Sequence, residues 1–90
     1  MIDTTVVMIT GHQPCRFPFA QMAVYSFLQQ TYDNARMLIV NQGKSLSLNS
    51  PRVSELMIKR EASTTLGDLR QYAMDRVETP YLCWWDDDDW

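Results

Sequence analysis

The chain has 90 residues, 46% of them hydrophobic and 21% charged, with three Gly and four Pro. That is room for one domain, and the balance excludes a collagen, a low-complexity linker or a disordered tail. The net charge of −3 is unevenly spread: Asp86, Asp87, Asp88 and Asp89 are four of the eleven acids, while residues 1–85, with eight bases and seven acids, stand at +1. A single concentrated negative pole repels phosphate backbones, which argues against a nucleic-acid partner. No apolar run approaches the roughly 20 residues that span a bilayer, so no transmembrane segment is expected. Asp3 and the lack of a basic leader argue against a cleaved signal peptide. Cys15 and Cys83 form neither a disulfide framework nor a metal-ligand spacing, which fits a reducing, cytoplasmic compartment.

In chain order, Thr5-Val6-Val7-Met8-Ile9-Thr10 is a β-branched apolar run that reads as a strand buried on both faces. Gly11-His12-Gln13-Pro14 breaks it. Pro18 suits the first turn of a helix, where its missing N–H has no partner to lose. From Phe19 to Gln30 the residues Ala20, Ala23, Val24, Phe27 and Leu28 recur at helical spacing. Met37-Leu38-Ile39-Val40 is a second buried strand, closed by Asn41-Gln42-Gly43, and residues 44–52 read as a polar loop.

Val53 to Ile58 is a weaker third strand. Thr65, with Asp68 three residues on, is a capping-box start for a second helix. Leu66, Leu69, Ala73 and Val77 supply its apolar stripe, Arg76 suits its C-terminal dipole, and Pro80 bars continuation. Tyr81-Leu82-Cys83-Trp84-Trp85 is a fourth strand that runs straight into the aspartates, with one of the two tryptophans in the core and the other at a crevice. Met8, Met22, Met37, Met57 and Met74 read as core filler.

The order β-α-β-β-α-β predicts an α/β fold: a Rossmann-like three-layer arrangement with a mainly parallel sheet of about four strands between flanking helices. Right-handed crossovers would bring the first and last strands near the middle of the sheet. Ligands of open α/β sheets bind beyond the carboxyl ends of strands where the winding direction reverses. The Thr10–Gln13 loop and the Asp86–Asp89 run both follow such ends, so one crevice could hold both.

Four successive carboxylates repel one another, and a divalent cation relieves that repulsion. Alternate positions of an extended segment share a face, which pairs Asp86 with Asp88. Hard oxygen donors suit Mg²⁺ or Mn²⁺, ions that keep positions open for substrate phosphates. The plain alternative is a solvated acidic tail, yet such tails rarely follow directly on a strand of this apolar character.

Several segments, taken together, resemble the N-terminal part of the family 2 nucleotide-sugar glycosyltransferases of the GT-A fold. Val6-Val7-Met8-Ile9-Thr10 is similar to the family's opening strand, and Ser26-Phe27-Leu28-Gln29-Gln30-Thr31-Tyr32 to its "S-hydrophobic-x-x-Q-T-Y" helix ending. Leu38-Ile39-Val40-Asn41-Gln42-Gly43 corresponds to its second strand and turn, and Leu66-Gly67-Asp68-Leu69-Arg70-Gln71 to its "G-x-x-R-N" segment. Tyr81 to Trp90 resembles the strand that leads into the metal-binding DxD motif.

The resemblance implies a UDP- or GDP-linked sugar donor and a Mn²⁺ or Mg²⁺ cofactor. Asp86 and Asp87 would lie on the ribose and diphosphate side, and Asp88, with Asp86, would hold the metal. Arg70 and Gly67 would lie near the diphosphate, where a guanidinium binds oxygens bidentately. Thr10, Gly11 and His12 would contact the base. Asn41, where the family has an Asp, and Gly43 would border it.

Plainer roles compete: Gly67 as a close-packing residue, Arg70 as a surface partner of Glu61 or Asp75. In the family the acceptor pocket and the catalytic base follow the DxD motif, and this sequence stops one residue after Asp89. The expectation is therefore a single nucleotide-sugar-binding half-domain spanning 1–90, inactive alone as an inverting hexosyl transferase. The alternative is a non-catalytic α/β assembly module with an acidic, weakly cation-binding C-terminus, and a homodimer through the truncated sheet edge is conceivable in either case.

Overall fold

The computed structural model describes residues 2–11, 17–29, 34–43, 45–46, 50–58 and 65–85. Six elements run in the order β1 (Thr4–Thr10), α1 (Phe17–Leu28), β2 (Ala35–Asn41), β3 (Val53–Met57), α2 (Leu66–Met74) and β4 (Tyr81–Trp84). The four strands form one sheet in the order β3-β2-β1-β4, and every pairing is parallel. The chain is thus a small Rossmann-like α/β fold.

The helices cover opposite faces because side chains alternate along each strand. Val6 and Met8 of β1, with Ala35, Met37 and Ile39 of β2, pack under Ala20, Ala23, Val24 and Phe27 of α1. Val7 and Val40, from the other face, pack under Leu69 and Ala73 of α2, joined by Ile9, Leu38 and Leu82. β1 is buried on both sides, as its β-branched run requires. Each such side chain contributes about 1.5–3 kcal/mol by leaving water, so these two thin cores hold the layers together.

Local signals set the helix boundaries. α1 begins at Phe17 and places Pro18 in its first turn. At α2, Thr65 Oγ1 accepts from the Asp68 N–H at 3.1 Å and the Thr65 N–H donates to Asp68 Oδ2 at 3.0 Å, which completes the expected capping box. The helix ends at Met74, earlier than its apolar stripe suggested. Two tight turns, Arg76 N–H to the Ala73 carbonyl and Val77 N–H to the Met74 carbonyl, follow it. Arg76 turns back, donating from Nη1 to the Tyr72 carbonyl at 3.0 Å, and so satisfies an orphan acceptor at the negative end of the helix.

Two expectations need correction. The first strand is interior, but β4 lies at an edge of the described sheet, because a four-stranded sheet has two interior places and β1 and β2 occupy them. β4 is correspondingly open: Tyr81 is 65% and Trp84 42% exposed, and Cys83 is exposed too. Among the methionines only Met8 and Met37 are core, whereas Met22, Met57 and Met74 are exposed on α1, β3 and α2. Their positions fall on outward-facing sides that apolar composition alone does not distinguish.

Candidate functional site

An all-parallel sheet sends every strand's carboxyl end to one edge. There Thr10 and Gly11 end β1, Asn41 to Gly43 follow β2, Ile58 follows β3, and Trp84 and Trp85 end β4. α2 begins at the same edge, so Thr65, Leu66, Gly67 and Arg70 stand over it. The winding direction reverses between β1 and β4: β2 and β3 extend the sheet to one side of β1, and β4 pairs on the other, with Val7 opposite Trp84. This is the position at which open α/β sheets form their ligand crevice.

Trp84 and Trp85 diverge as expected of consecutive strand residues. Trp85 faces α1, its ring edge-on to Phe27 with centroids 6.3 Å apart. The backbone N–H of Trp85 donates to the Val7 carbonyl at 2.9 Å and extends the β1–β4 ladder. Trp84 faces α2, where the Arg70 guanidinium carbon lies 5.7 Å from its ring centroid. A contact of this kind is worth about 0.5–1 kcal/mol at an exposed site. The surface pairing of Arg70 with Asp75 is not made: Asp75 accepts from Gln71 Nε2 at 2.9 Å, and Glu61, the other expected partner, lies outside the described residues. Arg70 thus keeps its N–H groups unengaged among the described residues, on the α2 flank of the switch point.

Between Arg70, Leu66 and the two tryptophans, with Val7 and Ile9 as floor, lies a notch of about 60 Å³. The notch is open to solvent on one side. Gly67 is exposed, and an added Cβ would meet only Thr65 Oγ1 at an ordinary 3.6 Å. Close helix packing therefore does not explain this glycine. At Gly11 nothing among the described residues lies within 4 Å of an added Cβ.

Asn41, expected to border a base, is held inside the fold at the end of β2. It is 1% exposed, and both ends of its amide are engaged within the fold. Nδ2 donates to Glu55 Oε2 at 2.7 Å, and Oδ1 accepts from the Gly43 N–H at 2.7 Å. Gly43 accordingly serves the turn after β2 through its backbone. Thr10 is also buried, and its carbonyl accepts from the Gln42 N–H at 3.2 Å.

Glu55 escaped the sequence reading. Besides Asn41, its carboxylate accepts from Ser45 Oγ at 2.8 Å and from the Leu46 N–H at 3.0 Å. The signal available was a lone acid within the apolar strand Val-Ser-Glu-Leu-Met. Three donors to one carboxylate pin the segment after β2 against β3.

The remaining expected contacts, His12 for the base and Asp86, Asp87 and Asp88 for the diphosphate and metal, lie outside the described residues. Among the described residues no group of three or more His, Cys, Asp or Glu could hold a metal ion. No described helix is long and apolar enough to cross a membrane. Comparison with protein-family models, curated proteins and solved structures finds no match for this chain.

Proposed function

We propose that the chain is the donor-binding portion of an inverting glycosyltransferase, taking a UDP- or GDP-linked sugar for hexosyl transfer to an acceptor hydroxyl. The observation that carries this reading is the reversal of winding between β1 and β4, which in open α/β sheets marks the ligand crevice. The acidic run Asp86–Asp89 follows β4 in sequence, with Trp85 alone between it and the last paired residue, Trp84. Arg70, its N–H groups unengaged above Trp84, is suited to diphosphate oxygens, because a guanidinium presents paired donors to them. Asp86 and Asp88 would hold Mn²⁺ or Mg²⁺, and such an ion, when bound, would neutralise charge on the departing diphosphate.

The experiment is titration of UDP and GDP with and without Mn²⁺, read by tryptophan fluorescence. Metal-dependent binding that is lost in Asp88→Ala and weakened in Arg70→Ala supports the reading; saturating Mn²⁺ without any nucleotide effect overturns it.

The second reading, an assembly module, draws on other observations. Phe19, Met22 and Tyr25 form an exposed apolar stripe on α1, a helix with no charged residue, and β4 offers an open strand edge. A concentration-dependent dimer in sedimentation, coupled with the absence of nucleotide binding, would favour it.

A further inference from the structure

The opposite edge of the sheet holds a second cavity. It has a volume of about 210 Å³ and lies where β1, β2 and β3 begin, on the α2 face, beneath the turn that carries the chain from α2 to β4. Thr5, Arg36, Ser54, Arg76, Glu78 and Thr79 supply its polar lining. Thr5 stands about five residues before the carboxyl end of β1, which at 3.3 Å per residue puts this cavity roughly 17 Å from the candidate nucleotide crevice.

Its hydrogen bonding is polarised. Thr79 Oγ1 donates to the Tyr81 carbonyl at 2.9 Å, so the 2.7 Å contact between the Thr5 and Thr79 hydroxyls is donated by Thr5. Both hydroxyl protons are therefore committed, and the buried Thr5 oxygen, only 3% exposed, presents lone pairs alone. Glu78, with no partner among the described residues, adds acceptors to this side. The side chains of Arg36 and Ser54 likewise have no hydrogen bond or ion pair among the described residues. The Arg76 guanidinium is immobilised, 3.4 Å from the Tyr72 ring centroid and bonded through Nη1 to the Tyr72 carbonyl, and its other N–H groups stay available. The cavity thus sets two guanidiniums and a hydroxyl donor beside a set of acceptors, with a net lining charge of one positive unit.

The geometry points to a binding site for a small polyol phosphate, an oxyanion that carries hydroxyl donors. The oxyanion takes the N–H groups of Arg36 and Arg76 and the Ser54 hydroxyl, since guanidinium–phosphate bonds are charge-assisted and frequently bidentate. The ligand's hydroxyls donate to Glu78 and to the Thr5 oxygen. A volume of about 210 Å³, below the range of drug-sized pockets, suits a phosphate with a few carbons. The site is independent of the proposed nucleotide crevice and stands or falls without it.

The test is amide chemical-shift titration of the full chain with glycerol 3-phosphate and with inorganic phosphate, against sodium chloride at matched ionic strength. The expected result is saturable shifts at Thr5, Arg36, Ser54 and Thr79, with a Kd for the ester of about 1 mM and weaker binding of inorganic phosphate. Arg36→Gln, an exposed position without structural partners, should weaken both by about tenfold, and Glu78→Gln should weaken the ester alone. Shifts that follow chloride equally, that fail to saturate or that persist unchanged in Arg36→Gln overturn the site. Equal affinity for the ester and for inorganic phosphate overturns the polyol assignment.

Discussion

Asn41 and Glu55 share a 2.7 Å hydrogen bond across two parallel strands, donated by the Asn41 amide to the Glu55 carboxylate. The bond uses an N–H donor that an aspartate at this position would lack. Replacing Asn41 with Asp would set two carboxylates against each other at a nearly fully buried position. Asn41→Asp should therefore lose about 1–3 kcal/mol of stability, measured by urea unfolding. Adding Glu55→Gln should restore part of the loss, because the new amide donates to the new carboxylate. A double variant no more stable than Asn41→Asp would show that the pair does not couple.

Thr65 carries the start of α2 through two reciprocal bonds with Asp68. Thr65→Ala removes the side-chain half of that cap. The expected loss is about 1 kcal/mol, seen as a lower urea midpoint with an unchanged slope.

Gly67 separates a structural from a functional role. Its helical position is sterically open, so Gly67→Ala should stabilise the chain by about 0.5–1 kcal/mol. If Gly67 also admits the diphosphate beside Arg70, the same variant should bind UDP or GDP several-fold more weakly in the fluorescence titration. Higher stability with unchanged nucleotide binding would remove Gly67 from the site.

The two sides of α1 should answer mutation differently. Phe27 is core and meets Trp85 edge-on, with the Arg52 guanidinium 4.9 Å from its ring centroid. Phe27→Ala should cost about 3–5 kcal/mol, a large share of the 5–15 kcal/mol typical of a domain. Tyr25→Ser, two residues away on the exposed stripe, should stay within about 0.5 kcal/mol in the monomer. A larger loss that grows with protein concentration would reveal that this stripe is covered in an assembly.

Much of the architecture is written locally. The β-branched run of β1, the Thr65–Asp68 cap, the Arg76 turn and the apolar spacing of α1 act between residues a few positions apart, so periodicity and capping chemistry disclose them. They determine which segments become strands and helices, and that alternation implies a parallel sheet between two helical layers. The divergence of Trp84 and Trp85 is equally local, a consequence of the strand pleat.

Position in the sheet is another matter. That β4 takes the edge, that Arg70 lies over Trp84 rather than pairing with Asp75, and that Glu55 rather than a ligand engages Asn41 depend on which strand lies beside which. The Asn41–Glu55 bond spans 14 residues and the Thr5–Thr79 bond 74. Contacts at such separations form only after the chain has closed long loops, so no local pattern encodes them. From the amino acids alone came the elements and their amphipathic faces. The strand order, the open edge, the occupied amide and the polarised cavity came from the packing of distant segments, because burial and hydrogen-bond partnership are properties of neighbours in space.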